Sequence, residues 1–530
     1  MKGLVAVVAA IGLAVLMALA GIAWVFGTEG GLRWAVARAQ AAAGGKLTIE
    51  GASGALARAV FIEKLSYESE GLSLLARGIA ARADLMAALA GRLSIEPLEA
   101  ESLEVALADT PGKPPSPPLL PFGMRIASAH IARLDLRQGT ARHRLLDVRL
   151  SHAELGAARP VAVSLAGSFT RPDERFPAKA NVTLRGSLER LDASLSLSVA
   201  GVPGEARAVA TPFQPRKLES LEARAGPVDL ARFDEGLPHT AITATLKAQS
   251  ALPQGLTGTL VLANAAPGPL DERRLPLAAA EMRFSSADLA SAALERLRIA
   301  LAGGGTLEGR GDASAQRFQA SFQANGIDLR AIRSTLRRTQ LNGPLRVAIE
   351  RERQSLEGTL SQEGVSLSAD MVRIGETLEV RALRAAAGAG ELSGAAKLRL
   401  GEALAFEGRF KLEGFNPAAF GDYPEGSLNG SLIAEGGLGG NAQVGVQWTL
   451  RGSSLFGRAL ESSGAARISR DRVTQAQAEA TLGKTFVRLR GDFGGAGDEL
   501  LWALEITRLD ELAPALAGRL SATGTLTGTW

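Results

Sequence analysis

The chain has 530 residues, no cysteine, 22% charged residues and a formal net charge of +4. That length exceeds a single compact core, and 46% hydrophobic residues exclude disorder as the state of most of the chain. The lack of cysteine excludes disulfides and thiol chemistry, and the singly scattered arginines point away from a nucleic-acid partner.

The first segment, Leu4 to Phe26, carries no charge. As a helix it would be roughly 34 Å long, enough to cross a hydrocarbon core of about 30 Å. Trp24 sits near its far end, as at a membrane interface. The competing reading is a cleaved signal peptide, because Ala18-Leu19-Ala20 has the small-x-small form. The apolar run continues six residues past Ala20, which favours an uncleaved anchor over residues 1–27. Arg33, Arg38 and Lys46 follow it, and a strict positive-inside count would hold that side in the cytoplasm. A long domain translocates largely regardless of such charges, so the body is expected outside the inner membrane.

Residues 28–109 read as a small α+β module. "TEGGLRWAVARAQAAA" is an amphipathic helix with Thr28 as N-cap and Gly44-Gly45 at its end. "KLTIEG", "VFIEKLSYES" and "GLSLLARGIAARADL" are short alternating segments, and Asp84 can cap a small helix, "DLMAALAG". "RLSIEPLEAESLEVALAD" reads as two further strands. Residues 110–123, "TPGKPPSPPLLPFG", form a proline-rich linker that favours an extended run.

From residue 124 to 530 the pattern is nearly continuous period-two alternation, as in "NVTLRGSL", "PLRVAIERER" and "VGVQWTLRG". At about 11 residues per strand and turn, this stretch makes roughly 35 strands. Helical stretches are few, "VDLARFDEG" and "IDLRAIRSTLRRTQ" being the best candidates. A weak repeat recurs every roughly 90–100 residues. Asp229, Asp328, Asn416 and Asp510 each follow a strand and offer an N-cap.

"GSLNGSLIAEG", from Gly426, poses the main question. One strand face carries Gly426, Leu428, Gly430, Leu432, Ala434 and Gly436. That face is apolar but full of gaps. Glycines of this kind, with Gly358, Gly408 and Gly528, would let a sheet curve and leave room. Leu360, Phe410, Leu428, Leu432 and Leu526 supply lining between them. Val444, Val446, Trp448 and Leu450 share one face of their segment, and Leu500, Trp502, Leu504 and Ile506 share one face of theirs. Acyl chains could cover such a face. Equally, these residues could be the ordinary core of tandem β-sandwiches of about 100 residues in a structural or adhesion protein.

No catalytic constellation stands out. "LGKT" at Leu482 has Ala478 where a phosphate-binding loop needs glycine, and Lys484 reads as part of an alternating strand. "GGGTLEG" at Gly303 spaces its glycines for a hairpin. His130, His143, His152 and His239 show no metal-ligand spacing, and no G-x-S-x-G elbow occurs. No enzyme activity, cofactor or metal is expected.

The order of segments along the first 139 residues is informative. An anchor precedes "TEGGLRWAVARAQ" and "GGKLTIEGASGALARAVFIEKLSYES". "LMAALAGRLSIEPLEAESLEVAL" and the proline-rich break "PPSPPLLPFGMRIASAHIARLDLRQG" come next. This succession resembles the TamB-like, AsmA-like family of translocation and assembly module proteins. The resemblance implies a mainly β fold: an N-terminal transmembrane helix, a small α+β module, and a long repetitive antiparallel sheet curled into an open groove with an apolar interior. It implies a single-pass inner-membrane protein whose body bridges the periplasm. Its cargo would be phospholipid, held by the acyl chains and moved toward the outer membrane, or its task the assembly of outer-membrane proteins. It also implies an outer-membrane barrel partner, TamA-like, met through a C-terminal region beyond "SATGTLTGTW". A shortened chain is the expectation there.

Overall fold

The computed structural model describes residues 24–69, 72–84, 87, 92–107, 123–138, 141–156, 160–171, 176–211, 214, 218–251, 255–287, 290–401, 404–437, 442–509 and 517–529. Most of the expected anchor, Leu4 to residue 23, lies outside them, as does Asp510 of the repeat. Among the described residues no helix is long and apolar enough to cross a membrane. Among the described residues the chain is mainly β, with 32 strands in an antiparallel-rich sheet. It divides into two compact units, Met1–Val228 with Thr243–Gly258, and Asp229–Ile242 with Thr259–Trp530.

The first unit opens on the helix Glu29–Ala42. Thr28 caps it as its sequence suggests: its hydroxyl accepts from Gly31 N at 3.0 Å. Gly44 and Gly45 then take positive φ values of 60° and 80°, and the chain turns into the first strand, Leu47–Glu50. Of the small helix expected after Asp84, only Ala87 is described; its N–H donates to Asp84 Oδ1 at 3.4 Å.

Where two strands were expected around Pro97, there is one, Arg92–Leu107. The proline is tolerated because Glu96 and Pro97 fall in a gap of both flanking ladders. Pairing on one side jumps from Ile95 with Ala83 to Leu98 with Ala81. On the other it passes from Ile95 with Ile126 to Leu98 with Ala129. No ladder bond there needs the missing N–H. The strands Gly123–Ile126 and Ala129–Gln138 pair in parallel with Arg92–Leu107. Residues 110–122 of the expected proline-rich linker lie outside the described residues; the strands before and after them, Arg92–Leu107 and Gly123–Ile126, pair with each other. From Ala129 to Val228 the remaining strands of this unit pair as sequential antiparallel neighbours.

In the second unit the strands from Leu277–Ser286 to Leu520–Thr527 also pair strictly in sequence order. Such a meander places alternate connections at opposite strand ends. All the longer connections, 328–340, 416–425 and 507–519, fall at the same end, facing mostly two- to six-residue turns at the other. These long connections are why strands are fewer than the uniform spacing suggested.

The repeat has a common chemistry. Asp328 Oδ1 accepts from Arg330 N at 3.0 Å and Thr339 N at 3.2 Å, and Asp229 Oδ1 accepts from Ala231 N at 3.2 Å and Thr240 N at 2.9 Å. Asn416 Oδ1 accepts from Ala418 N at 3.1 Å and Gly426 N at 3.3 Å. Each capped segment is a single turn, Leu230–Arg232, Leu329–Ile332 or Pro417–Ala419, the first two shorter than the helical stretches the sequence suggested there. The same cap that starts the turn also binds the returning chain, so the connection folds back before a second turn forms. Neighbouring connections are stitched together. His239 N donates to Arg273 O at 2.7 Å, Ser334 N to Asp271 Oδ1 at 3.0 Å, and Arg337 N to Phe420 O at 2.9 Å. Beneath them Ala324, Ile327, Leu329 and Leu341 form a buried cluster, with Leu341 fully enclosed.

Two outcomes follow. Thr339, 7% exposed, accepts from Leu329 N at 2.9 Å and donates to Ile327 O at 2.8 Å. Thr339→Val leaves both backbone groups unpaired and is expected to cost about 1–3 kcal/mol in a urea melt, whereas Thr335→Val, at an exposed site, costs little. The Asp229 carboxyl lies below its ordinary range, held by Thr240 N–H, and the Asp271 carboxyl likewise, held by the Ser334 hydroxyl. A depressed carboxylate pKa contributes stability at neutral pH that is lost as pH falls through it, below about 4. Amide exchange at Thr240 and Ser334 should therefore accelerate selectively in that window; unchanged protection at pH 3 would contradict the capping account.

Candidate functional site: the apolar face of the second unit

The register of the second unit aligns apolar residues strand after strand. One row runs Met282, Leu297, Gly309, Phe322, Leu345, Gly358, Ala369, Leu383 and Gly394. It continues through Phe410, Leu432, Trp448, Gly464, Ala478, Leu489, Trp502 and Gly524. Directly paired residues point to the same side of a sheet. Seventeen strands thus present one face with no polar residue in this row. The next row, from Leu360 through Leu367, Ala385, Leu392, Leu412, Gly430, Leu450, Ser462, Ala480 and Val487 to Leu504, carries a single hydroxyl.

All thirteen lining residues named from the sequence fall on this face. Phe410, Leu432, Trp448 and Trp502 lie in the first row, and Leu360, Leu450 and Leu504 in the second. Val446 pairs with Ala434, Val444 with Gly436, Leu428 with Phe415, and Leu500 with Leu526; Ile506 continues the side of Leu504. Gln447, Arg451 and Glu505 lie on the other face and are exposed.

The face is neither a closed core nor open surface along its whole length. At its start, Leu294, Leu297, Ala320 and Phe322 are buried. Further along, only Ile506 of the thirteen is buried (5%), Leu526 is exposed (46%), and the other eleven are partly exposed. Leu360 leans on the buried cluster under the 328–340 connection.

The glycines do something the sequence reading missed. Their gaps are occupied from the adjacent strand. A Cβ on Gly464 would lie 2.6 Å from Trp448 Cζ2, one on Gly394 2.5 Å from Phe410 Cδ1, and one on Gly309 2.8 Å from Phe322 Cδ1. On Gly524 it would lie 2.9 Å from the Trp502 indole, and on Gly358 2.1 Å from Leu345 Cδ2. Each glycine is the seat of the large side chain opposite it. The aromatic rings thereby lie over the glycines of the neighbouring strand. The Trp448 N–H is turned to the sheet as well, donating to Ser462 Oγ at 2.9 Å, and Ser462 donates on to Glu479 O at 3.1 Å. The indole's one polar group is thereby satisfied without reaching outward. Of the six glycines assigned to this face from the sequence, Gly528 has open space at its Cβ position, whereas Gly358, Gly408, Gly426, Gly430 and Gly436 do not.

Bulges also moved residues that simple alternation misplaces. Gly414 (φ 58°) and Gly452 (φ 59°) interrupt their strands, and the register shifts there bring Phe415 opposite Leu428 and Ser453 opposite Leu460. Phe415 thereby joins the apolar face, stacked on Phe420 at 5.5 Å. The signal was present as an isolated glycine within each alternating run.

The other singled-out positions are scattered. Lys484 is in the two-residue turn between Val473–Leu482 and Thr485–Phe493, after Gly483 at φ 58°, and not within a strand. Gly303 and Gly304 take positive φ in the connection between Ser291–Leu301 and Thr306–Ser314. His130 pairs with Asp147 at 3.0 Å, His152 with Glu154 at 3.6 Å and His239 with Asp229 at 3.3 Å. His143 sits opposite Leu136. Among the described residues no three His, Cys, Asp or Glu come together as metal ligands would.

Seat and occupant can be tested as a pair. Gly524→Ala should destabilise by about 1–3 kcal/mol through overpacking, and Trp502→Leu should relieve much of that cost. A double-mutant cycle by denaturant melting is expected to show a coupling of about 0.5–3 kcal/mol; strict additivity would show that the indole does not rest on the glycine.

The segment in front of this sheet is the part that comparison with known proteins identifies. No curated protein matches the chain, and no solved structure does. Residues 18–122 match the family model of the TamB N-terminal domain. That span contains the helix Glu29–Ala42 and the strands from Leu47–Glu50 to Arg92–Leu107. That match supports a TamB-like protein.

Proposed function

We propose that the protein is a bridge-type carrier, anchored in the inner membrane by Leu4 to Phe26, whose body extends into the periplasm and moves phospholipid toward the outer membrane. The TamB N-terminal domain supports a role of that family, in lipid transport or outer-membrane assembly. The observation that carries the reading is the apolar row, continuous over seventeen strands and only partly covered beyond residue 350. Water-facing leucine, phenylalanine and tryptophan on this scale require an apolar occupant, and acyl chains fit the two central rows, which carry no charge along their length. Headgroups would stay at the rim, because the face offers them no partner. An outer-membrane barrel partner of the TamA type would receive the lipid. The β-sandwich reading requires facing sheets with their inner residues buried; strands paired in sequence order and a partly exposed face favour the carrier.

A photo-crosslinking residue at Val446 or Leu504 is expected to capture phospholipid in cells, and one at Gln447 or Glu505 is not. Val446→Asp or Leu504→Arg should block lipid transfer between vesicles while leaving the melting midpoint nearly unchanged. In a sandwich core the same substitutions bury an unpaired charge and unfold the protein. Equal labelling of both faces, or unfolding of the charged variants without lipid capture, overturns the carrier reading.

A further inference from the structure

The first unit carries a charge arrangement that the carrier reading does not use. Arg77, Arg133, Arg137, Arg142 and Arg144 lie on one side of the sheet with only two carboxylates between them. The register places them together: Arg77 opposite Ser102, Ser102 opposite Arg133, Glu104 opposite Asp135, Asp135 opposite Arg144, and Arg137 opposite Arg142. Glu104 is shared by Arg77 at 3.3 Å and Arg137 at 3.7 Å, and Asp135 by Arg133 at 3.3 Å and Arg144 at 2.8 Å. Two carboxylates therefore serve four guanidinium groups. Arg142 has no hydrogen-bond or ion-pair partner among the described residues.

Three features distinguish this group from a solvated salt-bridge lattice. First, Arg137 and Arg142 are directly cross-strand, a like-charge pair that destabilises a ladder when nothing lies between the two groups. Second, the carboxylates are recessed: the side chains of Asp135 and Glu104 are 19% and 28% exposed, against 46–64% for the arginines they hold. The acids fix the guanidinium groups from beneath and leave donor edges over. Third, Arg133, Arg137, Arg142 and Arg144, with the two carboxylates beneath them, line a cleft of about 450 Å³, and Arg77 lies outside it.

We propose that this cleft binds an anion of the phosphate class, with Arg137 and Arg142 as its principal ligands and Arg133 and Arg144 completing the fork. Guanidinium pairs match phosphate oxygens bidentately, and an anion there relieves the repulsion between Arg137 and Arg142. The ligand is either a free phosphate-type solute or a phospholipid headgroup; the chemistry at the cleft is the same. The site stands independently of the carrier reading, since none of its residues is on the second unit's apolar face.

The test uses the full chain in nanodiscs of zwitterionic lipid. Inorganic phosphate, titrated at constant ionic strength, is expected to bind saturably by calorimetry. Arg137→Gln with Arg142→Gln should weaken it at least tenfold, and Arg185→Gln, on another strand, should leave it unchanged. The double variant removes a repulsion and should melt no lower than the parent, which separates lost binding from lost folding. In a second arm, flotation with vesicles containing phosphatidylglycerol asks for the lipid source: recruitment that the double variant abolishes assigns a headgroup, and phosphate binding without recruitment assigns a solute. Absence of both, or binding that survives the double variant, overturns the site.

Discussion

The architecture depends on one constraint, the directly opposed register of a sequential antiparallel ladder. Because pairing residues share a side, a strand inherits its apolar face from the strand before it. A one-residue slip at any strand of the second unit would turn Leu432, Trp448 or Leu504 to solvent and bring Ser, Arg or Glu onto the apolar side. The glycine seats reinforce that register. Trp448 fits across Gly464, and a slipped pairing would set it against Ala465 or Ser463, whose side chains occupy the other face. Large-against-glycine pairing therefore specifies alignment as well as filling space. The long capped connections add a second restraint at one strand end, where Asp229, Asp328 and Asn416 each tie a departing strand to a returning one.

Much of this was legible in the amino-acid sequence because period-two alternation is a local signal. The thirteen lining residues share a face because each sits at the right parity in its own segment, and the N-caps at Thr28, Asp229, Asp328 and Asn416 follow from a single side-chain type before a turn. The elements that were misread depend on a neighbour. Pro97 looked like a break between strands, but whether a proline ends a strand depends on whether the flanking ladders need its N–H. Alternation counted from Phe410 would turn Phe415 outward, and a bulge at Gly414 brings it in. The glycines looked like empty space because what fills them is set by neighbours: Gly358 is covered by Leu345 of the adjacent strand, and Gly430 and Gly436 lie against the backbone of the next strand. Lys484 was assigned to a strand because a two-residue turn leaves almost no gap in the alternation.

The face combines a few aromatic residues with the glycines that seat them. Aromatics make up 5% of the chain and glycines number 61. A ring standing upright on the sheet would obstruct an elongated occupant, and a ring laid across a glycine does not. Phe322, Phe410, Trp448 and Trp502 each lie against a glycine of the neighbouring strand. The buried start of the face, around Leu297 and Phe322, gives way to the partly exposed stretch after residue 350, and it is the exposed stretch that asks for an occupant.

The most direct test is native mass spectrometry of the full chain released from gentle detergent. The account predicts several phospholipid molecules retained per chain, with the number falling when Leu432→Arg is introduced on the apolar face and unchanged by Ile433→Arg on the opposite one. A chain that retains no phospholipid, or retains the same number in both variants, would contradict the claim that this face holds acyl chains.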